Sequence, residues 1–144
     1  MLPEHASTFV TLAEQVKQAV NAQMALHYPL EGPDTLYSII FTDIPQNPAH
    51  HSHNVTIFGR GQVDRSPTGV GLSARLALAE HEELVIESIL GEASTLSGRI
   101  VGRTQIGSYP AVIPRITGHP FLTGYHELLI DPRDALGLGF LVEG

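Results

Sequence analysis

Residues 62–75 read QVDRSPTGVGLSAR, and this stretch holds the densest set of groups that could do chemistry in the chain. Gly69 and Gly71 carry no side chains, so the backbone N–H groups around Val70 can close on a ligand. A helix starting there adds unpaired donors and the positive end of its dipole. That combination receives an anion, whether phosphate or carboxylate. Asp64 and Arg65 stand just outside it with opposite charges, and Asp64 can hold a cationic group close to the bound anion, as an amino-acid zwitterion requires. The plainer alternative is a helix with an ordinary cap, Ser66 or Thr68 being the N-cap residue. The pattern is not a Walker loop, because no lysine follows the second glycine. It lacks the third glycine of a dinucleotide-binding fingerprint.

Other polar clusters carry less. His50, His51 and His53 could hold a metal, but no carboxylate accompanies them at ligand spacing and their flanks are Pro and Asn, so a solvated loop is expected. His81-Glu82-Glu83 closes a helix without the second histidine of a zinc protease motif. No metal site and no cofactor are predicted. Asp131-Pro132 reads as a turn.

The elements that must position residues 62–75 follow from periodicity. Phe9, Leu12, Ala13, Val16, Ala19 and Val20 recur at helical spacing, with Glu14, Gln15, Lys17 and Gln18 on the other face. Pro3 sits near the start and Pro29 closes the segment, so one amphipathic helix is predicted over 3–27, with Phe9, Leu12, Val16 and Val20 buried and strands wrapped about it. LYSIIFT (36–42) and NVTIFGR (54–60) read as strands, with the proline- and histidine-rich 43–53 between them as loop. A second helix is predicted over 72–81. Residues 84–90, 98–106, 109–116 and 122–130 are further strands, and 137–142 a last short one. Two helices with a mostly antiparallel sheet make the class α+β.

Composition bounds the function. The chain has 144 residues, enough for one domain (1–144) with a real core. Apolar residues make up 42% and charged residues 16%, as in a globular protein. With 15 acidic against 8 basic residues and a formal charge of −7, a nucleic-acid partner is disfavoured. No apolar run reaches membrane-span length and no signal-peptide core is present, so no membrane partner and a cytoplasmic location are expected. There is no cysteine, hence no disulfide and no thiolate nucleophile in these residues.

The string Val63-Asp64-Arg65-Ser66-Pro67-Thr68-Gly69-Val70-Gly71-Leu72-Ser73-Ala74-Arg75 resembles the signature of the proline racemase family, in which DRSP precedes Cys or Thr, a Gly-x-Gly turn and Ala-Arg. Asn54 to Phe58, Glu87 to Gly91, Ile116 to His119, Leu122 to Gly124, Asp131-Pro132 and Gly139-Phe140 agree with it. The resemblance implies two similar lobes of the diaminopimelate-epimerase type, with a site in the cleft between them for a proline or hydroxyproline. It implies one catalytic cysteine per lobe in the racemases and epimerases. Members with threonine in the motif are similar to trans-3-hydroxy-L-proline dehydratases, which remove water without a cofactor. On this resemblance Thr68 is the catalytic-position residue and positions the substrate hydroxyl or carboxylate. Asp64 and Arg65 bind substrate, with Asp64 on its ammonium. Gly69, Val70 and Gly71 bind its carboxylate through their amides. His119 falls near the substrate cleft, where a binding role competes with that of an ordinary turn residue.

Threonine in place of cysteine has a chemical consequence. Ionising a thiol of pKa about 8.5 at pH 7 costs about 2 kcal/mol. A hydroxyl is far less acidic, so the same ionisation costs on the order of 12 kcal/mol. Thr68 therefore cannot serve as an exchanging base, though it can hydrogen-bond. The family's first cysteine lies in a lobe these residues do not contain. The chain is thus expected to be the second lobe with the returning C-terminal strand, either a fragment or a shortened homologue, and inactive alone. The alternatives are a lobe that binds proline-like zwitterions or a protein partner without catalysis, and a racemase or epimerase fragment. Exposed cleft surface would favour a homo-oligomer.

Overall fold

The computed structural model describes residues 3–28, 34–78, 83–137 and 139. A 3-10 turn, Pro3–His5, leads into helix α1, Ala6–Gln23. Strands β1 (Ser38–Asp43), β2 (Ser52–Phe58) and β3 (Gln62–Asp64) follow, then helix α2 (Gly69–Leu78) and strands β4 (Glu83–Ser88), β5 (Gly91–Ile106) and β6 (Tyr109–Gly118). The six strands form one sheet in the order β1-β2-β4-β5-β6, with β3 also paired to β2. All pairings are antiparallel except β2 with β4, where α2 makes the crossover. The α+β class and the mostly antiparallel sheet are as the sequence predicts.

Alternation along β2 assigns the two faces. His53, Val55 and Ile57 look to one side, where Val55 and Ile57 form a core with Ala13 of α1 and Ile89. Phe9, Val10, Ile39, Phe41 and Val63 pack against it. Leu72 and Leu76 of α2 make a second core with Leu84 and Ile86, flanked by Leu96, Ile100 and Ile116. A Cβ at Gly71 would fall 2.3 Å from Ile40 Cδ1, the far end of that side chain, so Ile40 would have to turn away.

Helix α1 is shorter than predicted. Met24 is already extended, and Asn21 turns the chain by pairing with the backbone of Leu36 in both directions. Pro29 lies outside the described residues. The buried stripe is also narrower: Ala13 and Lys17 are buried, Phe9 and Val20 partly so, and Leu12 and Val16 stay 43% and 39% exposed. Alanine allows the close approach, and Lys17 lays its methylene stem along the sheet to reach Gly59 O and Glu14.

Three further departures have physical reasons. β2 begins at Ser52, so His53 is buried in a central strand rather than solvated in a loop. Its neighbours diverge: His50 contacts Glu87, and His51 Nδ1 accepts from the Val85 amide. No group of metal-ligating side chains forms among the described residues. Residues 122–130 form no strand, and every one of them is exposed, because no backbone lies beside them among the described residues to complete a ladder. Of the predicted strand 137–142, Gly137 lies in a turn, and 138 and 140–142 fall outside the described residues, as does His81. No described helix is long and apolar enough to cross a membrane.

Glu87 anchors the loop before β2. It is fully buried, and accepts from the amides of Gln46 (2.7 Å) and Asn47 (2.8 Å) and from His50 Nδ1 (2.8 Å). Burial alone would raise its pKa, but the Asn47 and Gln46 amides and His50 outweigh that and hold it below the usual 4.5.

Two outcomes follow for stability. Leu76→Ala should destabilise the chain by about 2–4 kcal/mol in urea unfolding, whereas Leu78→Ala, at an 88% exposed position, should change it by less than about 0.5 kcal/mol. Because the folded chain holds Glu87 at lowered pKa, the unfolded chain binds the extra proton. Its stabilisation is therefore present above pH 4.5 and lost as pH falls through the lower folded value. Glu87→Gln should lower stability at pH 7 and flatten the acid limb of a stability–pH curve.

Candidate functional site

The site is built where the β2–β3 hairpin ends and α2 begins. Asp64 is the last residue of β3 and lies opposite Thr56 in the register, so its position is inherited from buried β2. Pro67 is fully buried and fixes the turn that follows. The Asp64 carboxylate is clamped at both oxygens: Oδ1 accepts from the Ser66 amide (2.8 Å) and Oδ2 from Thr68 Oγ1 (2.8 Å). Ser66 Oγ in turn accepts from the Thr68 amide at 3.1 Å. Thr68 is the non-glycine residue with positive φ, at 71°, among those described. For a β-branched residue that conformation is an outlier, costing on the order of 1–2 kcal/mol.

Thr68 does not act as a side-chain N-cap: its hydroxyl donates to Asp64 Oδ2, and no helix amide donates to its Oγ1 among the described residues. Its carbonyl accepts the first helical bond, from Leu72 N at 2.9 Å. The amides of Gly69, Val70 and Gly71 have no acceptor among the described residues. Three free donors at the head of α2, beside a part-buried carboxylate, give a region with both signs of charge.

A cleft of about 790 Å³ opens beside this turn. Asp64, Arg65 and Ser66 line it, with Phe58 and Val63 behind them, Ala93 to Thr95 of β5 on one side, and His119, Pro120 and Phe121 across. The structure thus brings Asp64, Arg65 and His119 to one cleft. Thr68, Gly69, Val70 and Gly71 are not among its lining residues; they adjoin it through Asp64. Arg65 is exposed and makes no ion pair with Asp64. The β5 wall was not legible in the sequence, because it arrives by sheet register, Thr95 lying opposite Glu87.

In the sequence Arg75 is simply the last residue of the signature. It reaches back from α2 to Ser52 Oγ and Asn54 Oδ1 on β2, pinning the helix to the strand. Burial pushes its pKa below the usual value, but a guanidinium stays charged at neutral pH. Asn54 Nδ2 and Thr56 Oγ1, on that same face, are buried without a partner among the described residues.

The sequence model of the proline racemase family matches residues 1–141. A trans-3-hydroxy-L-proline dehydratase of Bacillus thuringiensis subsp. konkukian is 41% identical over 134 residues, covering 89% of this chain and 40% of that protein. A proline racemase of Acetoanaerobium sticklandii is 40% identical over 139 residues, covering 91% and 41%. Among solved structures, a hydroxyproline epimerase of Agrobacterium vitis with bound trans-4-hydroxy-L-proline superposes with a TM-score of 0.73 at 30% identity, over 98% of this chain and 42% of that one. The chain spans about two fifths of the length of these relatives. The chain belongs to the proline racemase family.

Proposed function

We propose that this chain is the substrate-holding lobe of a cofactor-free hydroxyproline dehydratase, acting on trans-3-hydroxy-L-proline. The observation that carries this reading is the clamped Asp64 carboxylate at the cleft, beside three amides of α2 that have no acceptor among the described residues. Asp64 would take the substrate ammonium, and the Gly69, Val70 and Gly71 amides its carboxylate, with Arg65 adding positive charge at the rim. Threonine at position 68 and the similarity to a dehydratase favour loss of water over inversion at Cα.

Elimination needs a base to take the Cα proton. The C–H electron pair then becomes the C2=C3 bond, and the 3-hydroxyl departs with a proton as water. The enamine left behind tautomerises to a cyclic imine. A base must lie within hydrogen-bond reach and be poised near neutral pH. Asp64 is committed to the ammonium, Arg65 cannot deprotonate, and the hydroxyl of Thr68 ionises at too high a cost. The base would come from the other lobe, as the family resemblance implies. In this reading residues 1–144 form one lobe, and the exposed 122–130 segment, with Leu122, Leu128 and Leu129, would pair with the lobe opposite.

The test is to incubate the purified chain with trans-3-hydroxy-L-proline and follow cyclic imine. No turnover above that of a Thr68→Ala control is expected, and the same chain supplied with the N-terminal lobe of a dehydratase relative should form imine. Turnover by the chain alone would contradict the one-lobe reading and direct attention to His119. Failure to recover activity on a well-folded joined protein would favour a lobe that binds without catalysis.

A further inference from the structure

The residue at the family's second cysteine position does not touch the cleft, and that observation changes what Thr68 can be. The cleft is lined by Asp64, Arg65 and Ser66, and Thr68 lies beyond them. Its single hydroxyl proton is spent on Asp64 Oδ2 at 2.8 Å, and its amide proton on Ser66 Oγ. With both donors engaged, Thr68 has none left for a substrate carboxylate or a leaving hydroxyl.

We propose that Thr68 is a positioning residue that acts on substrate through Asp64, and that its left-handed backbone is held for that purpose. The proposal rests on reading the cleft as an amino-acid site. Asp64 stands at the end of a three-residue strand, where nothing in β3 itself would fix its χ angles. The Ser66 amide takes one oxygen and Thr68 the other, so the carboxylate plane is set from both sides and its remaining lone pairs are left for an ammonium. Thr68 Oγ1 reaches Asp64 from a φ of 71°, a region where Gly would sit without strain. A residue chosen for stability alone would be glycine. Threonine keeps the hydroxyl at the expense of the backbone.

This role predicts that stability and binding move in opposite directions, which a merely structural residue would not produce. The measurements are thermal unfolding, and NMR titration of the chain with trans-3-hydroxy-L-proline and with L-proline. Thr68→Gly should raise Tm by about 2–5 °C and weaken binding about tenfold. Thr68→Val keeps the branched shape without the hydroxyl, and should weaken binding about as much with no gain in Tm. Thr68→Ser restores the donor and should bind within about threefold of the unmodified chain. Unchanged affinity in Thr68→Val, or a joint fall of Tm and affinity in Thr68→Gly, would overturn the proposal. If the unmodified chain bound neither amino acid, the reading of the cleft would fall on its own. The contact would then be decided by a stability cycle of Asp64→Asn and Thr68→Val. Non-additive losses support it and additive losses refute it.

Discussion

Strand Ser52–Phe58 is buried on both faces, and the placement of the candidate site depends on that burial. One face gives Val55 and Ile57 to the core beneath α1. The other turns Ser52 and Asn54 towards α2, where Arg75 grips both. A strand held between two helices cannot slip by one residue without turning its polar set into the apolar core under α1 and its apolar set towards Arg75. Asp64 is registered against Thr56 of this strand, and α2 is tied to its other end. The distance from carboxylate to helix head is therefore fixed by packing far from the cleft. The polar side chains on β2 look wasteful for a central strand until that role is considered.

The chemistry then divides between what the chain holds and what it lacks. A carboxylate clamped at both oxygens beside helix amides without an acceptor among the described residues suits a zwitterion, whose ammonium and carboxylate are borne by the same carbon. Substitution of threonine for a thiol takes away a base of accessible pKa and leaves a hydroxyl that can only orient. Elimination of water needs one base on one face of Cα, whereas inversion needs proton exchange on both. A lobe that bound and oriented without deprotonating, as proposed, would suit the first.

Local features were the legible ones. The DRSPTGVG turn and the main strands are written in contiguous residues whose spacing states their geometry, although α2 begins at Gly69, three residues before the predicted 72. What was not legible is non-local. His53 looked like a loop residue from its proline and asparagine neighbours, and only the burial of β2 explains it. Glu87 gave no sign that it would accept two amides from residues some forty positions earlier. Lys17 read as solvent-facing and is buried, because a small neighbour, Ala13, draws the helix close enough for its stem to cover the sheet. Leu122–Ile130 has the composition of a strand, but a strand is a property of two backbones, and the second is missing among the described residues.

Binding without deprotonation can be read in one experiment, because hydrogen exchange at the substrate measures both halves at once. With trans-3-hydroxy-L-proline in D₂O and the chain in stoichiometric amounts, proton NMR should show ligand shifts that saturate at roughly millimolar concentration. The Cα–H signal should persist undiminished for hours. Loss of that signal, meaning deuterium entering at Cα in the presence of this chain alone, would reveal a base among its own residues and contradict the one-lobe proposal.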